Sequence, residues 1–272
     1  MNDLKNFLSE TEYQNLINDI QIIHTKKPLI HSITNYVAMN FSANALLSIG
    51  ASPVMSRAPE EVAQMTSYAD ALVLNLGTPE EQSLKAMLIA GKAANEKGIP
   101  IVYDPVAVGA TSFRREFNRK LLNDVRVSII RGNASEILAL CDEHKITAGV
   151  DTYDQGQIAV EGAKVLALKL HAVIIISGKT DYITNGKEVK CIDLGADMMS
   201  KVTAMGCTID GIVAAFAAIN QNLFKAASNA MTLCGYAGQT AAAKSKGNGS
   251  MMINFLDELY NRTVNCTIEL NE

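Results

Sequence analysis

Four short and almost continuously apolar runs recur along the chain, and longer segments with helical periodicity separate them. The runs are ALVLNL (71–76), IPIVYDP (99–105), VSIIRGN (127–133) and AVIIISG (172–178). A strand that is buried on both faces reads as a continuous apolar run, whereas a strand with one solvated face alternates. The pattern therefore predicts a parallel sheet with helices packed on both faces.

Helical patterns fill the segments between and after these runs. They predict helices over residues 79–97, 155–170 and 208–220, the first with Thr78 as its N-cap and acidic residues in its first turn. Repeated strand, helix and strand segments build βαβ units with right-handed crossovers. We therefore expect an α/β fold.

The segment 179–197 breaks this alternation of long helices and apolar runs. It has the period of a strand and contains Asn185-Gly186, a strong hairpin signal. We expect it to extend the sheet with antiparallel strands. No linker, repeat or low-complexity tract interrupts the sequence, so residues 1–272 are predicted to form a single domain.

Composition and charge narrow the class of protein. Of the 272 residues, 48% are hydrophobic and 19% are charged, which favours a sizeable buried core over disorder. The formal net charge is −4 and no basic stripe occurs, so nucleic acid is disfavoured as a partner. The polar N-terminus lacks the features of a secretory signal, and the apolar stretches are shorter than the ~20 residues of a membrane span. We expect a cytoplasmic protein.

The cysteine and histidine patterns argue against several kinds of site. The five cysteines are widely spaced and form no C-x-x-C motif, which disfavours disulfides and structural zinc. The four histidines form no H-E-x-x-H or H-x-H motif, which disfavours a transition-metal hydrolase.

Polar and turn residues stand at the end of each predicted strand. Near the ends of the four runs stand Asn75, Asp104, Arg131 and Ser177, and Gly77 directly follows the first run. In open α/β sheets, ligands bind at the carboxyl ends of the strands. These residues therefore predict one composite site, although the order of the strands in the sheet cannot be read from them.

A second candidate is Gly206-Cys207, in the segment KVTAMGCTIDG (201–211) that precedes an Ala/Val-rich helix. Gly206 suits a tight turn, and the free N–H groups of a helix start suit a phosphate. A cysteine at this place is expected to have a lowered pKa. The alternative is that Cys207 is only a small buried apolar residue, as free cysteines often are.

Five ordered, collinear blocks carry a resemblance that covers nearly the whole chain. They are PLIHSITNYVAMNFSANALLSIGASPVM (28–55), ALVLNLGT (71–78), AGKAANEKGIPIVYDPVAVGAT (90–111), RGNASEI (131–137) and VTAMGC (202–207). The chain resembles the hydroxyethylthiazole kinase family, the branch of the ribokinase-like superfamily with cysteine in place of the catalytic aspartate. The resemblance implies a ribokinase-like three-layer α/β/α fold. It also implies ATP- and Mg²⁺-dependent phosphorylation of 4-methyl-5-(2-hydroxyethyl)thiazole in thiamine salvage, by a homotrimer with its active site at the subunit interface.

The resemblance, together with the strand-end residues, assigns roles to individual positions. These are the reaction itself (Gly206, Cys207), the thiazole alcohol (Asn35, Met55, Asn75, Gly77, Ala204), ATP (Arg131, Ser177) and Mg²⁺ (Asp104, Glu136). In this scheme Cys207 is the general base or the hydrogen-bond partner of the hydroxyl, and the carboxylates suit the preference of Mg²⁺ for oxygen. Taken singly, most of these residues also fit structural roles, such as strand ends, helix caps or core.

One departure from the family pattern falls beside the cysteine. The family has G-x-G-C, whereas this chain has Ala204 and Met205 before Gly206. If Ala204 needs a positive φ, a cost of ~1 kcal/mol follows. Two alternatives stay open: a kinase for another vitamin-like alcohol, of the hydroxymethylpyrimidine or pyridoxal type, and a catalytically weakened ligand-binding homologue.

Overall fold

The protein is described by a computed structural model over residues 2–143 and 155–268. The strands in these ranges are β1 (Leu29–Ile33), β2 (Ser52–Val54), β3 (Ala71–Asn75), β4 (Ile101–Asp104), β5 (Ile129–Asn133), β6 (Val173–Ser177), β7 (Asp181–Thr184) and β8 (Val189–Ile192). The α-helices are α1 (Glu10–Lys26), α2 (Met39–Ser48), α3 (Val62–Tyr68), α4 (Glu81–Lys97), α5 (Ser112–Asp124), α6 (Ala134–Glu143), α7 (Gln155–Leu170), α8 (Met205–Ile219), α9 (Leu223–Lys244) and α10 (Asn248–Ile268). Short 3₁₀ helices cover Asn2–Asn6 and Asp197–Lys201.

The strands form one sheet in the order β2-β1-β3-β4-β5-β6-β7-β8. Neighbours from β2 to β6 run parallel, and β7 and β8 add two antiparallel strands. The four apolar runs are confirmed as β3 to β6, and the hairpin is confirmed as β7 and β8. At its turn, Gly186 has a φ of 87°, and Asn185 Oδ1 accepts hydrogen bonds from the N–H groups of Lys187 and Glu188.

Both faces of the sheet are buried, which explains the continuous apolar runs. Side chains along β3 alternate between two core clusters: Val73 belongs to one, and Leu72 and Leu74 belong to the other. The first cluster includes residues of α1, α2, α8, α9 and α10, and the second includes residues of α3 to α7. The chain therefore has the predicted three-layer α/β/α fold. None of the helices in the described ranges has the length and hydropathy of a membrane span.

Two predicted helix starts are wrong. α4 begins at Glu81 rather than at residue 79, because Glu80 is extended and its N–H group donates to Ser83 Oγ at 3.0 Å. Thr78 does not cap this helix; its Oγ1 accepts a hydrogen bond from the N–H group of Tyr36 at 3.4 Å instead.

The second difference affects the candidate site directly. α8 begins at Met205, three residues before the predicted start, because Ala204 turns the chain with a φ of 65° and its carbonyl accepts from the N–H group of Thr208 at 2.9 Å. Gly206 and Cys207 therefore lie within the first turn of the helix. This turn faces the carboxyl ends of the central strands.

Candidate active site

A cavity of about 690 Å³ lies at the carboxyl ends of the parallel strands. Residues from the ends of β4, β5 and β6 and from the start of α8 line it, among them Asp104, Arg131, Ser177 and Cys207. The strand-end residues that were expected to share one site are thus close together. Asn75 does not line the cavity but reaches Asp104 by a hydrogen bond of 2.6 Å from its Nδ2 to Oδ2.

A chain of amide hydrogen bonds leads to the cysteine. Asn35 Nδ2 donates to Cys207 Sγ at 3.2 Å and to Asn75 Oδ1 at 2.8 Å. Asn75 Oδ1 also accepts from the N–H group of Gly77 at 3.0 Å, while Asn35 Oδ1 accepts from that of Ala38 at 3.1 Å. Both amides are buried and therefore held in one orientation.

Gly77 is required by this arrangement. A Cβ atom at this position would lie 2.4 Å from Nδ2 of Asn35 and 2.7 Å from its Cβ. Asn35 therefore packs directly on the backbone of the residue that follows β3.

The expected lowering of the Cys207 pKa is wrong. The pKa of this thiol is raised to about 12, chiefly by burial and also by the charges of Asp104 and Asp210, while hydrogen bonds from Asn75 and Asn35 oppose the rise only in part. The helix start that favours a thiolate is outweighed by burial and by two carboxylates from other parts of the fold. Cys207 is consequently a neutral thiol at physiological pH.

Two buried carboxylates stand beside Cys207. Asp104 is 5% exposed and Asp210 is 0% exposed, and Asn75 Nδ2 also donates to Asp210 Oδ2 at 3.3 Å. Burial raises the pKa of both; the charge of Asp210 adds to the effect at Asp104, whereas Arg131 opposes it at Asp210. Sequence reasoning missed Asp210, although its position three residues after Cys207, in an otherwise apolar helix, was a usable signal.

Arg131 joins the sheet to the first turn of α8. Its Nη1 donates to the carbonyl oxygen of Gly206 at 3.1 Å and to Asp210 Oδ1 at 3.3 Å. The residue is 6% exposed, so it is not a surface charge. Its buried Nε has no hydrogen-bond partner within the described ranges.

The other predicted residues occupy different places around the cavity. Glu136 lines it, with its two oxygens accepting from the N–H groups of Ala107 and Asn133, each at 2.8 Å. Ser177 also lines it, and its Oγ donates to the carbonyl oxygen of Gly132 at 3.3 Å. Met55 does not line the cavity; it is half-buried and directly follows β2, the edge strand of the sheet.

Ala204 stands where the family pattern has its first glycine, and its backbone has the positive φ that only glycine adopts without strain. Ala204 has φ 65° and ψ 4°, in the left-handed region that costs a non-glycine residue ~1 kcal/mol. Met205 is 5% exposed and packs in the core, although part of it borders the cavity. Among the described residues no side chain caps α8, so the N–H groups of Gly206 and Cys207 remain available to an anion.

Known proteins are similar in sequence to this chain over most of their length. A hydroxyethylthiazole kinase of Desulfotalea psychrophila is 45% identical over 243 residues, 89% of each chain. One of Leptospira biflexa is 43% identical over 253 residues, 93% of this chain and 95% of that protein.

Solved structures agree with these relatives. The hydroxyethylthiazole kinase protein of Pyrococcus horikoshii has a TM-score of 0.84 at 33% identity and covers 92% of this chain and 95% of its own. A ribokinase-like superfamily protein of Enterococcus faecalis, at 14% identity and a TM-score of 0.68 over 88% of this chain and 87% of its own, supports the fold alone. The model of the hydroxyethylthiazole kinase family matches residues 20–265. The chain therefore belongs to the hydroxyethylthiazole kinase family.

Proposed function

We propose that this protein transfers the terminal phosphoryl group of ATP to the hydroxyl of 4-methyl-5-(2-hydroxyethyl)thiazole, in thiamine salvage. The observation that carries the proposal is the position of Cys207, in the uncapped first turn of α8 at the edge of the cavity, beside the amide of Asn35. In a member of this family, that turn is where the alcohol and the phosphate meet.

The phosphate side of the cavity has the groups that phosphoryl transfer needs, which are chiefly positioning and charge stabilisation. The N–H groups of Gly206 and Cys207 donate to the transferring group, where a positive helix end favours negative charge. Arg131 adds a fixed positive charge directly behind this turn, where its Nη1 donates to the carbonyl oxygen of Gly206. Ser177 contributes a hydroxyl on the next strand.

The hydroxyl side of the reaction involves Cys207 and Asn35. Because the pKa of Cys207 is raised to about 12, the thiol does not abstract a proton before phosphoryl transfer begins. The neutral thiol orients the hydroxyl by hydrogen bonding, and the hydroxyl proton passes to an oxygen of the transferring phosphoryl group, and from there to water, once the bond to phosphorus has largely formed. Asn35 Nδ2 donates to Sγ and holds the thiol in its orientation toward the hydroxyl.

The residues present fit a magnesium ion. Oxygen atoms of Asp104 and Asp210 and the sulfur of Cys207 lie within 4.8 Å of one another, and Asp104 lines the cavity. Mg²⁺ takes one or two carboxylates together with water and phosphate oxygens, and it neutralises the charge on the phosphates when bound. Asp104 would hold it directly. Glu136, whose oxygens already accept two backbone N–H groups, would act through water.

The assembly we propose is a homotrimer in the cytoplasm, with the thiazole pocket at the subunit interface. Two observations support the interface. Met55, which the resemblance assigns to the substrate, is absent from the lining of the cavity of its own chain. It follows the edge strand β2, from which it can reach the site of a neighbouring copy.

The test is turnover by the purified protein with Mg-ATP and the thiazole alcohol. We expect equal amounts of ADP and the thiazole phosphate, identified by mass spectrometry, and no product without Mg²⁺. Hydroxymethylpyrimidine and pyridoxal, assayed at equal concentrations, test for another vitamin-like alcohol. Binding of the thiazole alcohol without any product would contradict the kinase and favour a ligand-binding homologue.

A further inference from the structure

A carboxylate that does not line the cavity lies directly behind it. Asp210 is fully buried and is the only charged residue of α8. Burying a carboxylate costs several kcal/mol unless its partners compensate, so an apolar side chain of similar volume would serve packing at least as well. The reason for an acid at this place must lie in what it holds.

The first partner of Asp210 is the guanidinium of Arg131. Nη1 of Arg131 donates both to Asp210 Oδ1, at 3.3 Å, and to the carbonyl oxygen of Gly206, at 3.1 Å. A Cβ at Gly206 would lie 3.4 Å from the same nitrogen, so the guanidinium packs against the turn itself. Asp210 thus fixes Arg131 on the backbone whose N–H groups face the cavity.

The second partner is Asn75, which is linked to Cys207 through Asn35. Asn75 Nδ2 donates to Asp210 Oδ2 at 3.3 Å, and Asn75 Oδ1 accepts from Asn35 Nδ2, which also donates to Cys207 Sγ. The two oxygens of one carboxylate therefore hold two different side chains. Arg131 contacts the turn proposed to bind phosphate, and Asn75 contacts Asn35, which donates to the thiol of Cys207.

We propose that Asp210 is a positioning residue for phosphoryl transfer, which orients Arg131 and Asn75 around Cys207 without touching either substrate. The inference rests on the proposed function, since it assigns Asp210 a part in that same reaction. Displacing a positioned group by about 1 Å lowers turnover by ~100-fold. Asp210 should therefore influence the reaction more than it influences folding.

The decisive variant is Asp210→Asn, which keeps the size of the side chain and removes its charge. Arg131→Lys is the second variant, because lysine retains the cation but cannot contact Asp210 and Gly206 as one rigid fork. Asp19→Asn is the matched control: Asp19 is 4% exposed and accepts from the amides of Asn220 and Asn229, far from the lining of the cavity. Each variant is assayed for kcat, both KM values, Tm and affinity for a non-hydrolysable ATP analogue.

We expect Asp210→Asn to lower kcat by ~10- to 100-fold and to weaken binding of the ATP analogue about tenfold, because Arg131 is no longer held in place. Asp19→Asn should lower Tm without either change. The double variant of Asp210 and Arg131 should lose less than the product of the two single losses, since Asp210 acts on the phosphate-binding turn through Arg131.

Three results would overturn the inference. The first is wild-type kinetics in Asp210→Asn. The second is a double variant in which the losses of kcat from the two single variants multiply. The third is a variant of Asp210 that does not fold at all, which would make the residue purely structural. If the wild-type protein itself gives no thiazole phosphate, the proposed function fails. In that case the binding measurement with the ATP analogue still tests the role of Asp210, because an unchanged affinity of Asp210→Asn for the analogue would reject the positioning role.

Discussion

Replacing Gly77 by alanine should reveal how far the reaction depends on the amide of Asn35. The new Cβ would lie 2.4 Å from Asn35 Nδ2, well inside van der Waals contact. Asn35 is 6% exposed and hydrogen-bonded at both ends of its amide, so it has no open space into which it can move. Either the side chain shifts, or the backbone after β3 does.

The size of the effect follows from the geometry. Overpacking a filled site costs about 1–3 kcal/mol, so the free energy of unfolding should fall by that amount. A shift of about 1 Å in Asn35 also breaks its contact with Cys207 Sγ, now 3.2 Å, and a displacement of that size lowers turnover by ~100-fold. The rate should thus suffer more than the stability does.

The assay compares Gly77→Ala with Gly249→Ala. A Cβ at Gly249 would meet nothing within 4 Å, and the residue lies in the first turn of α10, so this control should leave kcat unchanged. Asn35→Ala should lose a similar factor in kcat, and adding Gly77→Ala to it should cost nothing more. A Gly77→Ala enzyme with the wild-type kcat would refute the role assigned to Asn35.

Three further predictions concern the turn at the start of α8. Cys207→Ala should lower kcat strongly because it removes the hydrogen bond to the hydroxyl. Cys207→Asp should keep or raise kcat because a carboxylate can accept the hydroxyl proton, which a neutral thiol with a pKa of about 12 cannot; wild-type kcat in both variants would remove the side chain from the mechanism. Ala204→Gly should raise the free energy of unfolding by about 0.5–1 kcal/mol in urea titrations, since φ 65° suits glycine, and no gain would mean that the turn is unstrained. At pH 8 iodoacetamide should label Cys207 far more slowly than the exposed Cys191, and labelling of Cys207 should rise only above pH 10, because its raised pKa keeps the thiol protonated. Peptide mass spectrometry that finds Cys207 labelled as fast as Cys191 would contradict this.

The central strands were predictable, but β1 and β2 were not. The continuous apolar runs of β3 to β6 arise because helices cover both faces of the sheet. In β1 the run is interrupted by His31 and Ser32, although both are buried. His31 is satisfied by Thr66 Oγ1 and by the carbonyl oxygen of Ser56, each at 2.9 Å from a ring nitrogen, and such distant partners leave no mark on a local pattern.

The residues of the site were easier to find than their properties. A helix start beside a cysteine predicts a lowered pKa, and the local reasoning is sound as far as it goes. The outcome is reversed first by the burial of the thiol and then by two carboxylates. Asp104 is on β4, 103 positions away in the chain, and Asp210 lies on the same helix face as Cys207 at a spacing of three residues. Only the fold decides that both acids point at the thiol instead of at water.

The strained backbone of Ala204 lies next to the turn that Arg131 holds in position. Ala204 holds a left-handed φ of 65° immediately before the turn whose Gly206 carbonyl oxygen receives Nη1 of Arg131. Strained residues persist where the surrounding structure over-determines them. Here the carbonyl of Ala204 accepts the N–H group of Thr208, Met205 is anchored in the core, and Asp210 holds the arginine from behind. Alanine in place of glycine at position 204 therefore costs stability. The N–H groups of the turn still point toward the cavity, because Met205, Thr208 and Asp210 hold the turn in place.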